Sequence, residues 1–177
     1  MQLPSKSQVT LLFGPIGAGK SFIAKQIAQQ DGALYLASDK WFQALYLPDM
    51  PNPPDMSWVV PRIERCEHLI WTLTEQAIAS DIPVVLDVGM ATERAREKFQ
   101  TLCKSSGCPY RFVFVDSPLA VRSQRVRDRN EQASRTGDLP VTDEIFVFAN
   151  AQFQPSTASE ITKLSAGVAD FGYELNR

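Results

Sequence analysis

Residues 14–21 read Gly14-Pro15-Ile16-Gly17-Ala18-Gly19-Lys20-Ser21, the spacing G-x-x-x-x-G-K-S of a Walker A phosphate loop. Each residue type has a physical reason. The glycines let the backbone curl until successive N–H groups face one phosphate chain. Lys20 supplies a point charge for the β- and γ-phosphates, and Ser21 a hydroxyl for Mg²⁺. Such a loop works only between a strand and a helix, because the helix N-terminus then faces the anion. Val9-Thr10-Leu11-Leu12-Phe13 is the β-rich run before it, and Ser21 to Gln30 reads as the helix after it. From average Gly, Lys, Ser and Thr usage, a chance match in a chain of this length is on the order of one in a hundred. The chain therefore reads as an α/β protein that binds a nucleotide.

Composition narrows the rest. The 177 residues suit a single domain spanning 1–177, with enough length for a full core. Apolar residues make up 44% and charged ones 21%, a globular balance. A net charge of −2 exerts no global pull toward nucleic acid or an anionic membrane. The start, Met1 to Lys6, has no apolar signal region, and no apolar run approaches membrane-spanning length. A soluble cytoplasmic protein with reduced thiols is expected. Cys66, Cys103 and Cys108 lack the second pair that a metal site needs and read as core or loop thiols. The single histidine, His68, falls mid-helix and reads as a structural or surface residue.

Along the chain, Ala33 to Ala37 reads as a second strand, with Asp39 just beyond it. In open α/β sheets functional groups gather beyond the carboxyl ends of strands, which places Asp39 beside the phosphate loop. Five of the twelve prolines fall between Leu47 and Pro61, so regular structure is not expected before about Trp58. Residues 41–61 read either as a substrate-covering flap carrying Trp41, Phe42, Tyr46 and Trp58 or as a surface connector. A helix is expected from about Pro61, as a first-turn proline, to Ser80. Its apolar stripe is Val59, Ile63, Cys66, Ile70, Leu73 and Ala77. Pro83 to Asp87 is an apolar run ending in a carboxylate. This is the Walker B arrangement, in which Asp87 holds Mg²⁺ directly or through water.

A helix from Thr92 to Ser106, stopped at Gly107, precedes a fourth strand from Tyr110 to Asp116. Ser117-Pro118 reads as N-cap and first residue of the next helix. There Arg122, Arg125 and Arg129 share a face, with Arg127 and Arg135 nearby. Stacked arginines repel one another unless anions lie among them. The face is thus a candidate clamp for a triphosphate; the other reading is a solvated basic face neutralised by Asp128 and Glu131. Glu131 to Val141 is polar, contains Gly137 and reads as a lid segment. Thr142 caps a following helix with Asp143 and Glu144 in its first turn. A last strand falls near Glu160 to Lys163 or Val168.

Taken together, GPIGAGKS, Ser38-Asp39, VVLDVGM, VDSPLAVRSQRVRDRN, Leu139-Pro140-Val141 and Phe153-Gln154-Pro155 resemble the small P-loop kinases grouped as AAA_33-type ATP-binding proteins. Chloramphenicol phosphotransferase, phage polynucleotide kinase, gluconate kinase and zeta toxin are of that group, and the likeness covers nearly the whole chain. It implies a three-layer, nucleoside-kinase-like P-loop fold. The sheet would be mostly parallel, with four to five strands flanked by helices and an arginine-bearing lid at about 125–142. It also implies a transferase moving the ATP γ-phosphate to a hydroxyl, with ATP and Mg²⁺ as cofactors. Gly14 to Ser21 would hold the nucleotide, and Ser21 and Asp87 the metal. Asp39 would accept the proton of the attacking hydroxyl, with Asp87 as the alternative base. Arg125 and Arg129 would contact the donor nucleotide. Phe42 stands where polynucleotide kinase has an arginine for the neighbouring phosphate, which favours a small-molecule alcohol over a polynucleotide. A nucleotide-dependent ATPase or switch acting through a protein partner is the reading from another class.

Overall fold

The structure is a computed structural model that describes residues 9–136, 140–157, 160 and 173–174. Five strands are joined in the order β2-β3-β1-β4-β5. They are β1 (Val9–Phe13), β2 (Leu34–Ala37), β3 (Val84–Asp87), β4 (Tyr110–Asp116) and β5 (Tyr173–Glu174). Every pairing is parallel; β1 lies between β3 and β4, with Val9 opposite both Val84 and Tyr110. Parallel strands need helical crossovers, and α1 (Lys20–Asp31), α3 (Met56–Ala79) and α4 (Glu93–Ser105) lie between successive strands. The expected mostly parallel sheet flanked by helices is the observed fold.

Strand alternation divides the core. Val9, Leu11 and Phe13 of β1 join Leu86, Ile70, Trp71, Phe99 and Phe112 on one face. Leu12 points the other way and meets Ile23, Ala24 and Ile27 of α1 with Val85 and Val113. A layer of helices therefore covers each face. Because all strands run the same way, the ends of β1 to β4 emerge along one edge, and the functional groups are mounted there.

One stretch departs from expectation. Residues 38–49 are helical, as α2 (Ser38–Tyr46) and a 3-10 turn (Leu47–Asp49), and α3 begins at Met56 rather than near Pro61. The reason is a cap: Asp55 accepts from the Ser57 N–H at 2.8 Å and starts the helix five residues upstream of the proline. Pro61 then sits inside α3, close enough to its start to remove a single backbone bond. Trp41 packs against the core, Phe42 meets Tyr46 at 5.9 Å between ring centroids, and the Arg62 guanidinium lies 3.6 Å over the Trp58 ring.

The expected lid segment lies between α5 (Leu119–Thr136) and α6 (Asp143–Gln152). Residues 131–136 of it continue α5, and Gly137 to Leu139 lie outside the described residues. The return is clasped by Asn130, whose side chain donates to the Val141 carbonyl at 2.7 Å and accepts the Val141 N–H at 2.9 Å. Thr142 caps α6 as expected, accepting from Ile145 N–H. Of the last strand expected near Glu160 to Lys163 or Val168, Glu160 is described and is not in a strand, and the rest lies outside the described residues. No described helix is long and apolar enough to cross a membrane.

Candidate active site

A cleft of about 440 Å³ opens at the carboxyl edge of the sheet. Its floor is the loop from Gly14 to Ser21, of which every residue except Ala18 lines it; Ala18 is buried beneath. Gly14 (φ 150°) and Gly17 (φ 77°) hold backbone shapes that side chains oppose. They also lack room: a Cβ on Gly14 would lie 1.9 Å from the Val115 carbonyl oxygen, and one on Gly17 2.6 Å from that of Arg122. The loop is thus wedged between β4 and α5, with glycine required at both contacts.

At the start of α1 no side chain caps the helix and no acidic residue occupies the first turn. Its leading N–H groups lack intrahelical partners and point out of the helix toward the cleft. Lys20 curls over the loop, donating from Nζ to the carbonyls of Gly14 (2.9 Å) and Pro15 (3.0 Å). Burial pushes its pKa below the usual lysine range, opposed by the charges of Asp87 and Asp39. Both carboxylates thus lie within electrostatic reach of the ammonium.

Asp39, in the first turn of α2, and Asp87, at the end of β3, both line the cleft. Solvent reaches Asp39 through the cleft mouth, yet protein surrounds its carboxyl. Desolvation, and after it the charge of Asp87, raises the Asp39 pKa above the ordinary carboxylate range. Asp87 is held by a neighbour that sequence reasoning missed: the Tyr35 phenol donates to its Oδ2 at 2.8 Å. Burial, then the adjacent Asp87 charge, pushes the Tyr35 pKa upward, so the phenol stays a donor.

Two facing carboxylates beside a serine hydroxyl fit a small hard cation. Among the described residues no three His, Cys, Asp or Glu side chains gather into a metal cluster. A protein cage is therefore absent there, and the donor set is the kind Mg²⁺ uses, with one or two carboxylates completed by water and phosphate oxygens.

The arginine face separates into two functions. Arg125 and Arg129 line the cleft. Arg122 does not: it is buried, donates to the carbonyls of Ser117 (3.0 Å) and Ile16 (3.2 Å), and reaches Asn150 Oδ1 at 2.8 Å. It is a brace between phosphate loop, β4 end and α6, and the carboxylate that offsets its charge is Asp116, whose Oδ1 lies 3.7 Å from Nε. Ser117 is likewise no helix cap. Its hydroxyl donates to the Ala18 carbonyl and accepts from Arg125 Nη1, which also reaches the Ala18 carbonyl at 3.0 Å.

The far wall was not legible beforehand. Val88, Gly89, Met90 and Ala91 follow β3, and Val141, Ala149 and Phe153 face the cleft from the α6 side. Phe153 stacks on Phe114 at 6.4 Å, and Gln154 N–H donates to the Ala91 carbonyl at 2.9 Å. Behind this wall Arg96 is buried, paired through Nε and Nη2 with both oxygens of Glu160 and donating to the carbonyls of Met90 and Ala91. Outside the cleft, His68 is exposed on α3, and the three thiols are buried and free.

A comparison with curated proteins gives no significant match. Solved structures give many at the level of the fold. A sugar kinase from Janibacter sp. HTCC2649 matches with TM-score 0.64 and 13% identity, covering 97% of this chain and 87% of that one. The APS kinase CysC of Mycobacterium tuberculosis, in complex with AMPPNP and APS, matches with TM-score 0.56 and 15% identity over 98% and 91% of the two chains. A chain of the Pnkp1/Rnl/Hen1 RNA repair complex matches with TM-score 0.65 and 16% identity over 81% of this chain and 43% of that one. At such identities the likeness establishes a shared P-loop kinase fold. The family model AAA_33, described as an AAA domain, matches residues 9–154. With that match spanning the phosphate loop, both carboxylates and both cleft arginines, the chain belongs to the AAA_33 family.

Proposed function

We propose that this protein is an ATP-dependent phosphotransferase that moves the γ-phosphate of ATP to a hydroxyl of a small-molecule acceptor. The observation that carries the reading is the meeting of Lys20, Asp39, Asp87, Arg125 and Arg129 in one cleft floored by the phosphate loop. A pure nucleotide-binding module needs the loop and the metal carboxylate. A second carboxylate with a raised pKa beside them is what transfer to an alcohol requires.

In this mechanism the loop N–H groups and Lys20 hold the β- and γ-phosphates, and Arg125 and Arg129 neutralise charge on the migrating group. Ser21 and Asp87 would hold Mg²⁺, which would neutralise phosphate charge. Asp39 orients the acceptor hydroxyl and takes its proton as the oxygen bonds to the γ-phosphorus and ADP leaves. Raising the Asp39 pKa makes its carboxylate a stronger base. Most of the rate enhancement comes from positioning and fixed charge.

The test is incubation with γ-labelled ATP and a panel of metabolite and antibiotic alcohols. The reading requires label transfer to an acceptor, and transfer undiminished in Asp39→Asn would remove the base assignment. Oligonucleotide end-labelling would redirect the reading to a polynucleotide 5′-kinase. Tight ATP binding with slow hydrolysis and no acceptor would redirect it to a switch acting through a protein partner.

A further inference from the structure

Tyr35 holds Asp87, one of the two groups assigned to the cation. On β2 it lies opposite Val85, two residues before the end of β3, so its phenol reaches along the neighbouring strand to Asp87 Oδ2 at 2.8 Å. The ring packs against the α1 side of the core and is thereby held in place.

The chemistry of ligation gives this arrangement a purpose. A carboxylate ligand keeps its orientation best when its second oxygen is hydrogen-bonded. The Tyr35 O–H on Asp87 Oδ2 meets that need and leaves Asp87 Oδ1 as the open donor.

We propose that Tyr35 is a positioning residue for the divalent cation that accompanies the nucleotide, orienting Asp87 through its phenol. The inference rests on the nucleotide-binding reading above and adds to it a residue outside the loop and the strand-end carboxylates. It differs from a structural staple. β2 and β3 are already paired from Leu34 to Ala37, so a phenol serving only to join the strands would affect stability and leave metal dependence alone.

The experiment uses the full chain and a fluorescent ATP analogue, titrated with EDTA present and then across a range of Mg²⁺ concentrations. In Tyr35→Phe, which keeps the ring, the Mg²⁺ concentration giving half of the affinity gain is expected to rise about 10-fold or more, while affinity in EDTA stays within about twofold. Asp87→Asn should also lose the gain, and adding Tyr35→Phe to it should cause little further loss, because both act through one carboxylate. A wild-type Mg²⁺ dependence in Tyr35→Phe, or losses that simply add in the double variant, would overturn the inference alone. No Mg²⁺-dependent gain in the wild-type protein would overturn the metal reading and the inference together. The EDTA arm reports folding of each variant separately.

Discussion

Glu160→Gln is the sharpest perturbation the fold offers. Arg96 and Glu160 are 0% and 2% exposed, and the guanidinium meets both carboxylate oxygens, with Nη2 to Oε2 at 2.9 Å. An amide in place of the carboxylate strands a buried positive charge. Such a loss costs about 3–5 kcal/mol, with the lower end expected here because Arg96 keeps the Met90 and Ala91 carbonyls. For a domain of this size that lowers Tm by about 6–20 °C. The double variant Arg96→Met/Glu160→Met removes both charges. The Ala91 carbonyl still accepts from Gln154 N–H, so of the two carbonyls it is the buried Met90 carbonyl that loses its donor. One such orphan costs about 1–3 kcal/mol, so the double variant should be less damaged than Glu160→Gln alone. Urea unfolding followed by circular dichroism measures all three. A Glu160→Gln cost under about 1 kcal/mol, or a double variant worse than the single, would refute the reasoning, since both follow from the charge being buried.

Other outcomes follow from the cleft. Gly17→Ala places a methyl 2.6 Å from the Arg122 carbonyl oxygen at φ 77°. The left-handed backbone alone costs about 1–2 kcal/mol, so ATP affinity should fall roughly tenfold or more by fluorescence titration. Asp39→Asn should slow transfer by about 10²–10⁴ while leaving nucleotide binding in place, measured with labelled ATP. The same substitution should raise Tm at neutral pH. Burial raises the folded pKa of Asp39 above the ordinary carboxylate range, so its contribution to stability is present below the unfolded pKa and lost as pH rises through the folded pKa. The amide escapes that loss, and the gain should vanish at acid pH. With Asp39 as base, the acid limb of the kcat/KM profile should lie above the ordinary carboxylate range and disappear in the variant. Arg125→Ala should weaken both nucleotide affinity and loop order, because Arg125 also donates to Ala18 and Ser117; hydrogen exchange at residues 14–21 would report the second effect.

The phosphate loop, the parallel sheet and the carboxylates at strand ends were legible from residue order because each depends on neighbours in the chain. Gly14 and Gly17 carry their backbone preference wherever the loop lies, and an apolar run ending at Asp87 is a buried strand whose last side chain emerges at the sheet edge. The start of α3 was misread because five prolines outweighed one Asp55 cap in a reading by composition. Arg122 shows the limit of helical periodicity, which puts it on the face of Arg125 and Arg129 but says nothing of what lies opposite. The brace of Ile16, Ser117 and Asn150 comes from three other segments, and it takes Arg122 out of the cleft. Tyr35 and Asp87 are 52 residues apart, and Arg96 and Glu160 are 64. No local pattern marks either pair, because a hydrogen bond between distant segments depends on strand register and helix packing, which arise only when the whole chain folds. Nucleotide chemistry was therefore written in the order of the residues. The holding of Asp87, the bracing of the loop and the shape of the wall facing it came from contacts that folding alone creates.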